Sequence, residues 1–134
     1  MSECSTSYRE AVNVDRTTTC FVCGCCLMIY LATPYTHDDP AVMHERFLQV
    51  NRTAARLMAS GVHLISPISH THPIALAGEL PTSWDYWEAY DRCLVEMCSG
   101  MSVVCQDGWD CSVGVTAEIN IAREFGLVVE FIDP

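Results

Sequence analysis

Two carboxylates and a serine stand where predicted helices would present them to a ligand. Ser112 opens the segment Ser-Val-Gly-Val-Thr-Ala-Glu, in which Gly114 leaves the backbone bare and Glu118 falls on an otherwise small, apolar stretch. A bare backbone lets a ligand approach closely, and a serine at a helix start either caps the helix or binds a ligand. Asp91 follows Trp84, Trp87 and Tyr90 in the preceding helical segment. Each carboxylate is either a solvent-exposed helix residue or a functional acid, base or nucleophile.

Histidine and aromatic side chains add further candidate contacts. His70 and His72 lie in a predicted loop, and a His-x-His pair can bind a metal, line a ligand pocket or cap loop carbonyls. The spacing alone leaves these three alternatives open. Tyr35, Trp87 and Trp109 either stack on a planar ligand or belong to the core, where aromatic residues are common.

Alternating apolar segments predict the elements that position these residues. Residues 27–32 form a short apolar run typical of a buried strand, and residues 41–60 repeat apolar side chains at helical spacing up to Gly61. Residues 67–82, with three prolines, predict a long loop. The remaining predicted elements are strands at 62–66, 101–105 and 127–132, and helices at 83–99 and 112–125, the second of which ends before Gly126.

The order of these elements predicts an α/β fold. Strands that alternate with helices form a parallel sheet covered on both faces, here a flavodoxin- or Rossmann-like three-layer sandwich with about four strands. The polar loops at 33–40, 67–82 and 106–111 each follow a strand. Because ligands of such folds bind beyond the carboxyl ends of the strands, we expect the chemistry at that edge of the sheet.

Composition restricts the possible partners. The chain has 134 residues, of which half are apolar, and this suits one packed domain. A net charge of −10 without any lysine disfavours nucleic acid and anionic membrane surfaces, and no apolar run approaches the roughly 20 residues of a membrane span. Cys93, Cys98 and Cys105 fall in apolar patterns, where a thiol behaves as a small hydrophobe. This usage favours a reducing, cytoplasmic location.

The first 26 residues differ from the rest. Ser, Thr and charged residues without periodicity precede a cysteine cluster, Cys20-Phe-Val-Cys23-Gly-Cys25-Cys26. We predict a flexible extension at 1–26 and a folded domain at 27–134. The cluster is either a metal or redox site or part of an unstructured leader, with Met28 as the native start.

Four motifs in chain order resemble the nucleoside 2-deoxyribosyltransferase superfamily, which includes deoxynucleoside 5′-monophosphate N-glycosidases. The similarity covers about residues 28–134, and short, often phage-encoded relatives resemble the chain more closely still. Each motif is short, and their order on the expected elements makes the combination fairly specific. The motifs are Tyr30-Leu-Ala-Thr-Pro34-Tyr35, Ser66-Pro67-Ile68-Ser69-His70, Trp87-x-x-x-Asp91 and Gly108-Trp109-x-x-Ser112-x-Gly114-x-x-x-Glu118.

The resemblance implies covalent catalysis at an N-glycosidic bond, without a cofactor. Glu118 matches the nucleophile that attacks the anomeric carbon, as in retaining glycosidases. Asp91 matches the acid that protonates the leaving base, and Tyr30 matches the tyrosine that orients the nucleophile. Family active sites are often completed by a neighbouring subunit, so the resemblance also implies a homo-oligomer, a dimer or larger.

Ser112 marks a departure within the superfamily. Deoxyribosyltransferases place an acidic residue there to bind the sugar 5′-hydroxyl, whereas the monophosphate N-glycosidases place a serine. Ser112 and the amides near Gly114 suit a 5′-phosphate, yet the glycine- and arginine-rich phosphate loop of those glycosidases is missing after the first strand. The 5′ group therefore stays open. The substrate contacts that we expect are Ser112, Gly114, Thr33, Tyr35, His70 and Trp109.

Three functions follow as hypotheses. The first is an N-glycosidase or deoxyribosyltransferase that acts on a (deoxy)nucleoside or its 5′-monophosphate. The second is a module of the same fold that binds and senses a nucleotide without turnover. The third is a metalloprotein that uses His70, His72 and a nearby carboxylate.

Overall fold

A computed structural model describes residues 27–134, and the predicted extension at 1–26 lies outside the described residues. The strands are β1 (Ile29–Ala32), β2 (Leu64–Ile65), β3 (Gly100–Val104) and β4 (Val128–Ile132). The helices are α1 (Pro40–Ala59), α2 (Pro67–Gly78), α3 (Trp84–Met97) and α4 (Val113–Glu124), with a short 3-10 helix at Trp109–Cys111. All strand pairs are parallel, in the order β2-β1-β3-β4. The predicted α/β fold with a four-stranded parallel sheet is confirmed.

The two faces of the sheet carry separate cores. Successive side chains of a strand point to opposite faces, so in β1 Tyr30 packs with the α3 and α4 side while Leu31 packs with the α1 side. In β3, Val103 and Val104 divide in the same way. Both strands are buried on both faces, which explains why β1 is a continuous apolar run and why β3 is interrupted only by the small side chain of Ser102.

The strand order opens a crevice at the carboxyl edge. β1 is paired with β2 on one side and with β3 on the other, so the connections that leave β1 and β3 diverge. A ligand crevice forms at this kind of switch point in open parallel sheets. The loop after β1 and the segment after β3 therefore face each other across it.

Helix α2 occupies most of the region where a long loop was predicted, so that prediction was wrong. Pro67 stands at the first helical position, where a missing N–H has no partner to lose. Pro73 lies inside the helix and removes one hydrogen bond. Burial of Thr71, His72 and Ala75 offsets that cost, which is about 3 kcal/mol for an interior proline. Prolines therefore gave a misleading signal, because their effect depends on the position within a helix.

The predicted helix ends agree with the structure. Gly61 follows α1 and Gly126 follows α4, and both adopt the left-handed backbone, with φ of 93° and 71°, that glycine accepts without strain. None of the helices within residues 27–134 combines the length and apolar character needed to cross a membrane.

Candidate functional site

A cavity of about 520 Å³ opens at the carboxyl edge of the sheet. Its walls come from the loop after β1, the segment after β3, the turn before α3, and helices α1, α2, α3 and α4. The position agrees with the edge at which the sequence predicted the chemistry. The predicted site residues that line the cavity are Thr33, Tyr35, Asp91, Ser112, Gly114 and Glu118.

Local helix geometry presents Glu118 to the cavity. Ser112 caps α4 by accepting a hydrogen bond from the Val115 amide at 3.2 Å. Helical side chains lean toward the N-terminus, so Glu118 reaches back over Gly114, four residues earlier. A β-carbon at Gly114 would lie 3.7 Å from Glu118 Oε1. The bare backbone of Gly114 therefore keeps space beside the carboxylate for a ligand.

Asp91 meets Glu118 from the neighbouring helix α3. The two residues are only 8% and 7% exposed, so neither is the solvent-facing helix residue that the sequence left as an alternative. Burial raises the pKa of Asp91 from 3.8 to about 7. Burial and then the charge of Asp91 raise the pKa of Glu118 from 4.5 to about 8. The pair therefore holds at least one proton at neutral pH, because a second negative charge in the same buried site is unfavourable.

Tyr30 stands behind Glu118 in the centre of the sheet. Its hydroxyl is fully buried and makes no hydrogen bond of ordinary length and angle to any described residue. It nevertheless interacts with the Glu118 carboxylate and lowers the pKa of that group, so the contact is long or poorly aligned. Burial, with the charges of Glu118 and Asp91, raises the pKa of Tyr30 well above 10. Tyr30 therefore remains a proton donor that can tighten onto ionised Glu118.

The two predicted contacts in the loop after β1 are held from behind by other side chains. Gln106 Nε2 donates a hydrogen bond to the Thr33 hydroxyl and another, at 3.2 Å, to the Arg46 carbonyl. The Tyr35 hydroxyl and His72 Nδ1 are 2.5 Å apart in a buried hydrogen bond. These partners fix the cavity wall formed by Thr33 and Tyr35.

A family model for a domain of unknown function, DUF1937, matches residues 27–133. The chain belongs to the DUF1937 family. No curated protein matches the chain. The matched range and the described residues delimit the same unit, so the DUF1937 domain contains the whole cavity.

Two predicted contacts of the DUF1937 domain lie elsewhere. His70 is exposed on α2, and Trp109 packs against Phe131 with ring centroids 5.3 Å apart; neither lines the cavity. His72 is buried beside Phe47 and Tyr35, and not paired with His70. Within residues 27–134, no three side chains of the ligating types converge as a metal site would require. The histidine metal-site hypothesis therefore has no ligand set in the DUF1937 domain.

The DUF1937 cavity also contains residues that no motif indicated. Arg46 reaches it from α1, while Trp84 and Asp85 come from the first turn of α3. A β-carbon at Gly114 would lie 3.7 Å from the Trp84 ring, which places this indole beside the carboxylates. Trp84 lies in the first turn of the helix predicted at 83–99, a position that could have indicated it. Arg46 gave no signal, because an arginine in the middle of an amphipathic helix is usually a solvent contact.

Proposed function

We propose that this DUF1937 domain is a cytoplasmic enzyme that cleaves or transfers the N-glycosidic bond of a (deoxy)nucleoside or its 5′-monophosphate. The observation that carries the proposal is the pair of buried carboxyls, Asp91 and Glu118, in one cavity. Retaining glycosidases use two carboxyls of this kind, one as nucleophile and one as acid and base. The resemblance to nucleoside 2-deoxyribosyltransferases supplies the type of bond.

The first step forms a glycosyl–enzyme ester. The Glu118 carboxylate attacks the anomeric carbon, and a C–O bond forms as the C–N bond to the base breaks. The base nitrogen receives the bonding electron pair together with the proton of Asp91. Tyr30 donates toward Glu118 and orients it, and Gly114 leaves room for the sugar.

The second step frees the enzyme. Water, or the nitrogen of an acceptor base, attacks the anomeric carbon and gives its proton to the Asp91 carboxylate. The Glu118–sugar bond breaks, and its electron pair returns to the Glu118 carboxylate. Water gives a hydrolase, whereas an acceptor base gives a transferase.

Electrostatics of the cavity suit a reaction that needs one proton on the pair. With both pKa values raised, Asp91 and Glu118 together lose their first proton near neutrality and the second only at higher pH. The singly protonated pair is the state in which one carboxyl attacks and the other donates. In the empty cavity Asp91 has the lower pKa and ionises first, so the reactive form requires the remaining proton to move from Glu118 to Asp91. The contact with Tyr30 lowers the pKa of Glu118 and so favours that transfer.

The proposal is tested by release of free base from a panel of nucleosides and 5′-monophosphates, with and without an acceptor base. Glu118→Gln should lower base release by at least about 10³-fold, as expected for loss of a nucleophile, while circular dichroism stays unchanged. Glu124→Gln is the matched control, because Glu124 is exposed on the same helix and pairs with Arg92 at 3.1 Å. Full activity of folded Glu118→Gln would refute the covalent mechanism.

A second candidate function is a module that binds a nucleotide without turnover. Glu118, with a pKa raised to about 8, is mostly neutral at pH 7 when the cavity is empty, and a neutral carboxyl hydrogen-bonds a base or sugar well. This function predicts that nucleotides raise the melting temperature of both the wild type and Glu118→Gln. Base release by the wild type would exclude it.

We also propose that the chain forms a homo-oligomer. Helix α3 exposes three large apolar side chains along one side, Tyr86, Tyr90 and Met97, and such surfaces favour association. Light scattering coupled to size exclusion should give at least a dimer, and a monomer at micromolar concentration would refute this part of the proposal.

A further inference from the structure

Arg46 is a cationic side chain of the cavity that the proposed reaction does not use. It lies in the second turn of α1 and crosses the crevice from the loop after β1 to the segment after β3. Its Nη1 donates to the carbonyls of Tyr35 and Thr36, at 3.3 and 3.0 Å. Its Nη2 donates to the Asp107 carbonyl at 3.5 Å. The guanidinium is thereby held in one place at the cavity wall.

These contacts leave both charge and donors available. A guanidinium has five N–H donors, and three of them are used on carbonyls, which are neutral acceptors. Arg52 and Arg92 each pair with a carboxylate, at 3.0 and 3.1 Å, whereas Arg46 forms no ion pair within residues 27–134. A positioned arginine with spare donors is suited to an anion, and to phosphate in particular.

Gly108 shows that the chain makes room for this guanidinium. A β-carbon there would lie 2.5 Å from Arg46 Nη2, and the backbone has φ of 89°, a region that favours glycine. Gly108 also begins the turn that leads through the 3-10 helix to Ser112, the N-cap of α4. Arg46, Gly108 and Ser112 all line the cavity, so the guanidinium and the positive N-terminal end of the twelve-residue helix α4 border the same space.

We propose that Arg46 determines specificity by binding a phosphate on the sugar of the substrate, so that nucleoside 5′-monophosphates are preferred to nucleosides. The inference rests on the proposed function, and it adds a residue and a preference that the motifs left open. Asp85 is the opposing charge on the cavity wall, and it is exposed, so water and salt screen its repulsion. Raised pKa values at Asp91 and Glu118 further limit the negative charge that a phosphate would meet.

The test compares kcat/KM for 2′-deoxynucleosides and their 5′-monophosphates in four proteins: wild type, Arg46→Met, Arg46→Lys and Arg52→Met. Arg46→Met should lower kcat/KM for monophosphates about 10- to 100-fold more than for nucleosides, the loss expected for a hydrogen bond to a charged group. Any loss shared by both classes reports the hydrogen bonds from Arg46 to the loops. Arg46→Lys should give a kcat/KM for monophosphates between those of the wild type and Arg46→Met, because lysine keeps the positive charge but lacks the paired, planar N–H donors of a guanidinium. Arg52→Met is the control for removing a cation from the same helix.

Two results would overturn the inference. An equal loss for nucleosides and monophosphates would mean that Arg46 only braces the loops, and no loss would mean that it does not contact the substrate. If the wild type releases base from neither class, the proposed function fails and the inference is then judged by calorimetric binding of the same compounds. In that case, tighter binding of monophosphates than of nucleosides by the wild type, lost in Arg46→Met, supports the role of Arg46 in phosphate binding. Equal binding of both classes by the wild type refutes that role.

Discussion

Replacing Glu118 with glutamine should remove a pH-dependent penalty on the stability of the fold. The folded protein holds this carboxyl at a pKa of about 8, whereas the unfolded chain has the ordinary value of 4.5. Above pH 4.5 the unfolded chain gives up the proton that the folded chain keeps. Stability therefore falls as pH rises, and the penalty is complete only once pH has passed through the folded pKa.

The size of the effect follows from that difference. One proton retained on folding lowers the free energy of unfolding by about 1.4 kcal/mol per pH unit. Between pH 5 and pH 7, the wild type should lose about 2–3 kcal/mol more than Glu118→Gln, because glutamine does not ionise. For a domain of this size, that difference is roughly 10 °C in melting temperature.

Urea denaturation at pH 5, 6 and 7 measures the effect directly. Glu118→Gln should be close to the wild type at pH 5 and clearly more stable at pH 7. Glu124→Gln is the control, because its exposed carboxylate forms only a surface ion pair, worth at most about 1 kcal/mol, so its curve should run parallel to the wild type. Parallel curves for Glu118→Gln and wild type would show that Glu118 ionises freely in the folded state, and the electrostatic reasoning would be wrong.

Three further predictions concern the cavity and its support. The pH profile of kcat/KM should be bell-shaped, with its maximum between about pH 7 and 8. The Asp91–Glu118 pair takes up a second proton on the acid side of the maximum and loses its last proton on the alkaline side. A flat profile from pH 6 to 9 would contradict the assignment of this pair as nucleophile and acid. Gly114→Ala should keep or raise the melting temperature, because the added β-carbon meets no atom closer than 3.7 Å and alanine favours a helix. The same methyl group fills substrate space, so KM should rise by about 10-fold or more. An unchanged KM would show that no ligand approaches Gly114. Tyr35→Phe should lower the free energy of unfolding, measured in urea, by about 1–2 kcal/mol, because the buried His72 Nδ1 loses its partner. Adding His72→Phe should recover part of that loss. Strictly additive losses would mean that the two side chains are not coupled.

Several features of this domain followed from the sequence because they depend on neighbours along the chain. An apolar run of strand length is buried wherever a parallel sheet forms, so β1 and β3 could be predicted from residue type alone. Gly61 and Gly126 end helices because their backbone accepts the left-handed conformation. Glu118 reaches over Gly114 because residues four apart share one face of a helix. Each of these relations spans only a few residues.

Tertiary structure decided the features that depend on what each element packs against. Helix α2 forms despite its prolines because its inner side chains are buried, and that burial is absent from the local pattern. The same packing turns His72 toward Tyr35 and leaves His70 in solvent. Arg46 enters the cavity because α1 crosses the sheet beside the loops after β1 and β3. The burial that raises the pKa of Asp91 likewise comes from contact between elements distant in sequence, and no spacing of residue types records it.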